Sequence, residues 1–316
     1  MKNFLKTLAL FLLVGIILAF CLDYAITKGL RKRTDYHQEV WNDVLNPEVN
    51  PDVLVLGSCA AHYDCNPKIM DSVLHCDSYV LSMSNLTFPC HNFMWTMYEK
   101  CHKQLPKVVV FLLDYGDMDF REVKGSQEET QFLSLTYHKE ARDFLTQYGG
   151  YNFFEIYAPC YRYFGYHERI KYGLYNFIGV KRYKGHAQHY KGFIPLDKPY
   201  VFNSEWYGKE NVVPVQPEIA QMFENLLTDC KESGVQVVLA VAPLGHELED
   251  IIVNRDEIYG FYESLADNYG FHYVSFSENE FSHDIHNFES PNHLNAQAAD
   301  VFTIQLADYI KSIEIY

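Results

Sequence analysis

Two residues far apart in the chain have the chemistry of an acyl-transfer pair. Ser58 lies in Gly57-Ser58-Cys59, directly after the apolar run Asp52-Val-Leu-Val-Leu-Gly57, and a side chain at the C-terminal end of a buried strand is presented to a crevice. The glycine permits a tight turn there. A turn serine or a helix cap uses the same pair of residues, so a nucleophile needs a base to support it. His293, in Ser290-Pro-Asn-His-Leu-Asn295 close to the C-terminus and just before a segment of helical period, strengthens the signal with an imidazole that can take up a proton, although a lone His in such a place is more often a cap or surface residue. Beside Ser58, Cys59 is an alternative nucleophile whose side chain should point away, and His62 sits on the same turn, lining the pocket or capping. Asp114 ends another strand-like run near the same crevice. His283, Asp284 and His286 carry metal-binding groups but lack a third partner at fixed spacing, so no metal is assigned.

These groups need a scaffold, and the apolar patterning provides one. Short β-branched and apolar runs at 52–57, 79–83, 108–113 and 235–241, with a weaker one at 272–276, read as buried parallel strands. Between them, 92–104, 217–233, 255–269 and 296–313 have helical period. Strands alternating with helices predict βαβ units, an α/β sandwich and a site at the strands' C-terminal ends. About 120 residues separate Met118 from Gln236, far more than a crossover helix requires, so an insertion is expected over about 118–200. Its middle, 137–190, holds eleven of the 25 Tyr. Tyr rings there serve either as packing for a helical subdomain or as a platform of amphipathic rings beside the crevice, suited to a sugar chain.

The composition is 48% apolar and 21% charged, that of a chain with a core, and the formal charge is −15. The first 33 residues carry six Lys and Arg against one Asp, which leaves the rest at 20 against 40, or −20. Such a surface repels phosphate backbones, so nucleic acid is not expected as a partner. Eight cysteines form no CxxC pair and no Cys/His ligand spacing. Seven lie beyond residue 33, an odd number, so at least one thiol stays free. Between Lys6 and Asp23 the sequence TLALFLLVGIILAFCL is uncharged, and with its flank it is long enough to cross a bilayer. No small-x-small site follows it, so it reads as an uncleaved anchor over residues 1–33. Lys2 and Lys6 precede it while Lys28, Arg31, Lys32 and Arg33 follow, and a plain positive-inside count keeps the remainder cytoplasmic.

LGSCAAHYDCNP and SPNHLNAQAADVFT together resemble the first and last blocks of the SGNH branch of the GDSL-like hydrolases, in particular its membrane-anchored bacterial envelope members. YVLSMSNLTF and VVVFLLDYGDMD fall where the two oxyanion blocks are expected. The resemblance covers residues 51–316, interrupted by the Tyr-rich insertion. It implies a flavodoxin-like three-layer sandwich over 34–316, with Ser58 as nucleophile and His293 as base. The residue that orients the imidazole is Ser290 where the family has Asp, with Glu289 or Asp284 as substitutes. Ser82 or Asn85 stands where an oxyanion Gly is expected, and Gly116-Asp117 where the oxyanion Asn is expected. Asn85 or Asn92 would have to supply the amide, one such donor being worth about 3 kcal/mol. An Asp117 carboxylate aimed at an oxyanion would oppose catalysis unless protonated. Cys59, His62, Asp114 and Asp117 are the remaining pocket candidates.

The family resemblance implies an esterase or O-acyltransferase acting on an envelope glycan or an acylated small molecule, without a cofactor. A membrane-bound acyl-donor protein is the partner expected of a transferase, and the domain would lie outside the cytoplasmic membrane, against the plain charge count. The departures at Ser290, Gly116 and Ser82 support a second expectation, a catalytically degenerate SGNH fold that binds an envelope polysaccharide or a partner.

Overall fold

Runs of branched and apolar side chains too short for helices suit strands of a covered parallel sheet, and five strands form here: β1 (Val53–Gly57), β2 (Ser78–Ser82), β3 (Val108–Leu113), β4 (Gln236–Val241) and β5 (His272–Ser275). The computed structural model describes residues 1–32, 36–84, 86–120, 122–126, 129–180, 189–198, 200–201 and 209–316. All strand pairs in this sheet are parallel, in the order β2-β1-β3-β4-β5. The order reverses between β1 and β3, the point beyond whose strand C-termini open parallel sheets bind ligands.

In chain order the helices are α1 (Lys2–Arg31), α2 (Tyr36–Val44), α3 (Cys59–Asp64), α4 (Pro67–Leu74), α5 (Phe88–Cys101), α6 (Glu129–Phe132) and α7 (Lys139–Gln147). There follow α8 (Phe153–Tyr157), α9 (His167–Phe177), α10 (Pro217–Glu232), α11 (His246–Glu249), α12 (Arg255–Tyr269) and α13 (Ala296–Ser312). Contacts divide the chain into two units: 1–42 with 122–186, and 43–121 with 187–316.

The second unit holds the sheet as the middle of three layers. Alternate strand residues Val53, Val55, Val108, Val110 and Val238 join a core with Ala61, Met70, Phe302, Leu306 and Ile310 of α3, α4 and α13. On the opposite face Phe111 meets Phe223 of α10, which also meets Phe88 of α5 and Tyr262 of α12. β5 is an edge strand and only half buried, which accounts for its weaker apolar signal. α4 starts on Asn66, whose side chain accepts from the Lys68 N–H, with Pro67 in its first turn. A short antiparallel pair, β6 (Phe288–Ser290) and β7 (His293–Leu294), precedes α13.

The first unit joins the N-terminal helix to the Tyr-rich segment, which forms short helices. α1 is exposed through Leu22 apart from half-buried Ala19, and its last third is core: Asp23, Ile26, Thr27, Gly29 and Leu30 are buried. Gly29 and Gly173 meet where α1 crosses α9, and a Cβ on Gly29 would fall within 1.7 Å of the Gly173 carbonyl oxygen. Asp23 is buried against Arg162: Nη2 donates to Asp23 Oδ1 at 2.7 Å, joined by the Tyr137 hydroxyl at 3.0 Å, while Oδ2 accepts from the Cys160 N–H at 2.6 Å. The polar stretch read as a connector after residue 33 contains α2, whose Trp41 donates to Gln131 at 3.0 Å and meets the Phe132 ring. The Tyr rings are divided: Tyr151 and Tyr163 are buried, whereas Tyr137, Tyr157 and Tyr161 are exposed.

Candidate functional site at the strand rim

Gly57 is in register with Ser82 of β2 and Leu112 of β3. A Cβ on it would lie 2.3 Å from the Leu112 carbonyl oxygen and 2.9 Å from Ala61 Cβ, so glycine is what lets the first turn of α3 sit against the neighbouring strand. Ser58 is the N-cap residue of α3, yet its side chain does not cap. Its hydroxyl donates to Asp114 Oδ2 at 2.9 Å. The Ser58 carbonyl accepts from the Ser82 hydroxyl at 2.8 Å and from the His62 N–H at 3.2 Å, which fixes the Ser58 backbone. Ser58 itself is buried.

Asp114 follows β3 and begins the 3-10 turn Tyr115–Met118. Its Oδ1 accepts from the Gly116 N–H at 2.6 Å, its own N–H donates to Asp117 Oδ2 at 2.8 Å, and its carbonyl accepts from the Tyr262 hydroxyl at 2.9 Å. This reciprocal capping box holds the carboxylate that Ser58 meets. Asp117 is buried; desolvation, helped by the charge of Asp114, pushes its carboxyl pKa up. Its Oδ1 lies 3.5 Å from His91 Nδ1 without hydrogen-bond geometry. Burial pushes His91 down to about 3, so that ring is neutral. The Asp117 carboxyl is therefore engaged with the Asp114 N–H and beside His91.

His293 is placed by the β6–β7 hairpin, whose next residue, Leu294, donates its N–H to Asp64 Oδ1 at the end of α3, 2.9 Å away. Its ring meets Tyr63 edge-on, with centroids 4.9 Å apart. Nε2 accepts from Asn292 Nδ2 at 3.0 Å, and Ser290 Oγ donates to Asn292 Oδ1 at 3.1 Å. Ser290 thus reaches the imidazole through Asn292. Nδ1 is buried with no hydrogen-bond partner among the described residues. Burial pushes His293 down to about 4, against a smaller raising effect of the Asn292 backbone, so the ring is neutral at pH 7, the form in which an imidazole accepts a proton.

The structure joins Ser58 to Asp114 and ties His293 to the helix that Ser58 begins. It gives Ser58 and His293 no hydrogen bond to each other among the described residues. Ser82 and the Gly116 N–H, the expected oxyanion donors, hold the Ser58 carbonyl and the Asp114 carboxylate. Asn85 lies outside the described residues, and Asn92 is half buried on α5. His62 is buried, its Nδ1 paired with the Gly192 carbonyl at 3.1 Å, and so serves to fasten the 190–194 segment to α3. Cys59 is half-buried and reduced. Asp284 pairs with His286 at 2.8 Å on the surface, and the Glu289 carbonyl accepts from the Val201 N–H at 2.7 Å; neither carboxylate bonds to His293. Among the described residues no three metal-ligating side chains converge.

Sequence reasoning missed three of these groups: Asn292, inside the SPNHLN motif but with no charge to mark it; Asp64, fully buried 230 positions from its partner; and Tyr262. On the same rim, a cavity of about 410 Å³ opens at the end of β5, lined by Arg255, Tyr259, Tyr273, Ser275 and Ser277 among others.

No model of a known protein family matches this chain, and no curated protein matches it significantly. Fold and site define its class alone: a five-stranded parallel α/β domain with a serine–aspartate pair at its C-terminal rim, carrying an N-terminal helix apolar and long enough to span a membrane.

Proposed function

We propose that this chain is a membrane-tethered serine esterase or O-acyltransferase of the SGNH type, acting on acyl groups of a cell-envelope glycan through an acyl-Ser58 intermediate. The observation that carries this reading is the position of Ser58: it closes β1 beside the point where the strand order reverses, with its backbone fixed by Ser82 and its hydroxyl oriented by Asp114. The strand order is that of flavodoxin-like doubly wound sheets, whose ligands sit at this point. Ser58 Oγ attacks the acyl carbonyl, and His293 takes the serine proton and returns it to the departing oxygen. Water or a sugar hydroxyl then releases the acyl group. The reaction requires the hydroxyl to turn from Asp114 to the ring, and the ring to exchange Asn292 for the serine. A transferase would draw its acyl group from a membrane-bound donor protein, with the domain outside the cytoplasmic membrane.

A second reading has its own support. Two of the expected oxyanion donors, Ser82 and Gly116, are engaged within the fold, and Ser58 bonds Asp114 rather than His293, which suits a degenerate site that binds a glycan or partner. Fluorophosphonate labelling of the full chain separates the two. The enzyme reading expects labelling that disappears in Ser58→Ala and falls at least tenfold in His293→Ala. An unlabelled wild-type chain, beside a serine hydrolase that labels in the same tube, refutes it and leaves the binder.

A further inference from the structure

Exposed aromatic side chains are concentrated in one short stretch. Phe153, Phe154, Tyr157, Tyr161 and Phe164 all stand in solvent, Phe154 at 68% and Phe164 at 85% exposure. The first three cluster, with Phe153 4.7 Å from Tyr157 and 5.9 Å from Phe154 between ring centroids. Contiguous exposed apolar surface of this kind marks an interaction site.

Its position along α1 identifies what covers it. Cys160, in the middle of the stretch, donates its N–H to Asp23 and its thiol to the Ala19 carbonyl at 3.5 Å, and Phe20 shares a small cavity with Tyr157 and Pro159. The aromatic stretch is therefore level with residues 19–23. A hydrocarbon core about 30 Å thick takes about 20 residues of helix; the uncharged residues 7–22 supply most of it and the flanking turn from Asn3, with Lys6 reaching back to the opposite interface, completes it, so residues 19–23 fall where acyl chains meet headgroups. Aromatic rings and Lys or Arg gather at that depth. Two lysines past the span lie over aromatic rings of the same unit: Lys28 over Tyr24 at 5.8 Å and Lys32 over Phe177 at 5.7 Å.

Charge is divided to match. The unit of 1–42 and 122–186 carries 15 Lys and Arg against 10 Asp and Glu, net +5, whereas 43–121 with 187–316 carries 11 against 31, net −20. An anionic membrane surface attracts the first and repels the second.

From these observations we infer that the Tyr-rich unit is a membrane-interface module: Phe153, Phe154, Tyr157, Tyr161 and Phe164 insert into the lipid interface beside α1, with its basic side chains on anionic headgroups. The bilayer contact is then a helix plus a monotopic aromatic patch, locked together by Asp23 and Arg162, and the exposed Tyr rings serve lipid rather than sugar. The proposal does not depend on the chemistry at Ser58.

The test uses the full chain in vesicles of phosphatidylcholine and phosphatidylglycerol. Phe164→Trp and Phe154→Trp are made separately, both at exposed positions where the fold is indifferent to the new ring. The emission added over wild type is followed with brominated acyl chains in the lipid and with aqueous iodide. The expected result at both positions is loss of most of the added emission to brominated lipid and little loss to iodide. Iodide quenching without lipid quenching overturns the proposal. Shielding from both quenchers also overturns it, because a protein surface then covers the patch.

Discussion

Asp23→Asn tests whether the end of the anchor helix is part of the folded unit or merely a tether. The Asp23 and Arg162 side chains are only 5% and 4% exposed, so solvent does little to screen them. Arg162 also donates Nε–H to the Leu133 carbonyl at 3.0 Å and Nη2–H to Thr27 at 3.0 Å, which keeps its guanidinium in place after the carboxylate is gone. An uncompensated buried charge of this kind costs about 3–5 kcal/mol, or roughly two to three and a half orders of magnitude in an opening equilibrium. Hydrogen exchange of the full chain in nanodiscs reads this directly. Amides of α9 should lose that much protection, while those of β3 keep theirs. The double variant Asp23→Leu, Arg162→Met, which leaves no buried charge unpaired, should recover most of the loss. Protection of α9 within threefold of wild type in Asp23→Asn would show that the pair does not hold the helix to the unit.

Gly57→Ala forces a Cβ into the Leu112 carbonyl and should lower stability by about 1–3 kcal/mol or more through displacement of β1 from β3, measured by urea denaturation; an unchanged midpoint would contradict the close approach. The His293 pKa falls to about 4 from an ordinary 6.5, so the neutral ring contributes stability that is present above pH 6.5 and lost as pH falls through about 4. That window corresponds to about 3 kcal/mol, which His293→Gln should remove from the pH dependence of unfolding. Probe labelling of Ser58 should likewise decline on the acid side near pH 4, and a limb near 6.5 would mean the ring is solvated.

Much of the scaffold is local and was legible in the sequence. Runs such as Val108–Leu113 are short, apolar and rich in branched residues, as a strand buried on both faces requires, the helical period over 255–269 and 296–313 survives in α12 and α13, and Gly57-Ser58 marks the turn after β1. The sixteen uncharged residues after Lys6 determine that α1 is apolar enough to span a membrane. Tertiary structure decided the rest, because closure brings together groups that carry no periodic signal. Asp114 is 56 positions from the hydroxyl it receives, and Arg162 is 139 from Asp23; no spacing rule connects either pair. Asp23 reads in sequence as the charge that ends an apolar span, and only folding gives it a buried partner. At the rim, sequence supplied the residue types, but which hydrogen bond each one makes was fixed by geometry: Ser82 turned to a carbonyl, Gly116 to a carboxylate, and His293 to Asn292. A side chain with several possible partners takes the one its backbone brings within about 3 Å, and that distance is set by how the layers pack.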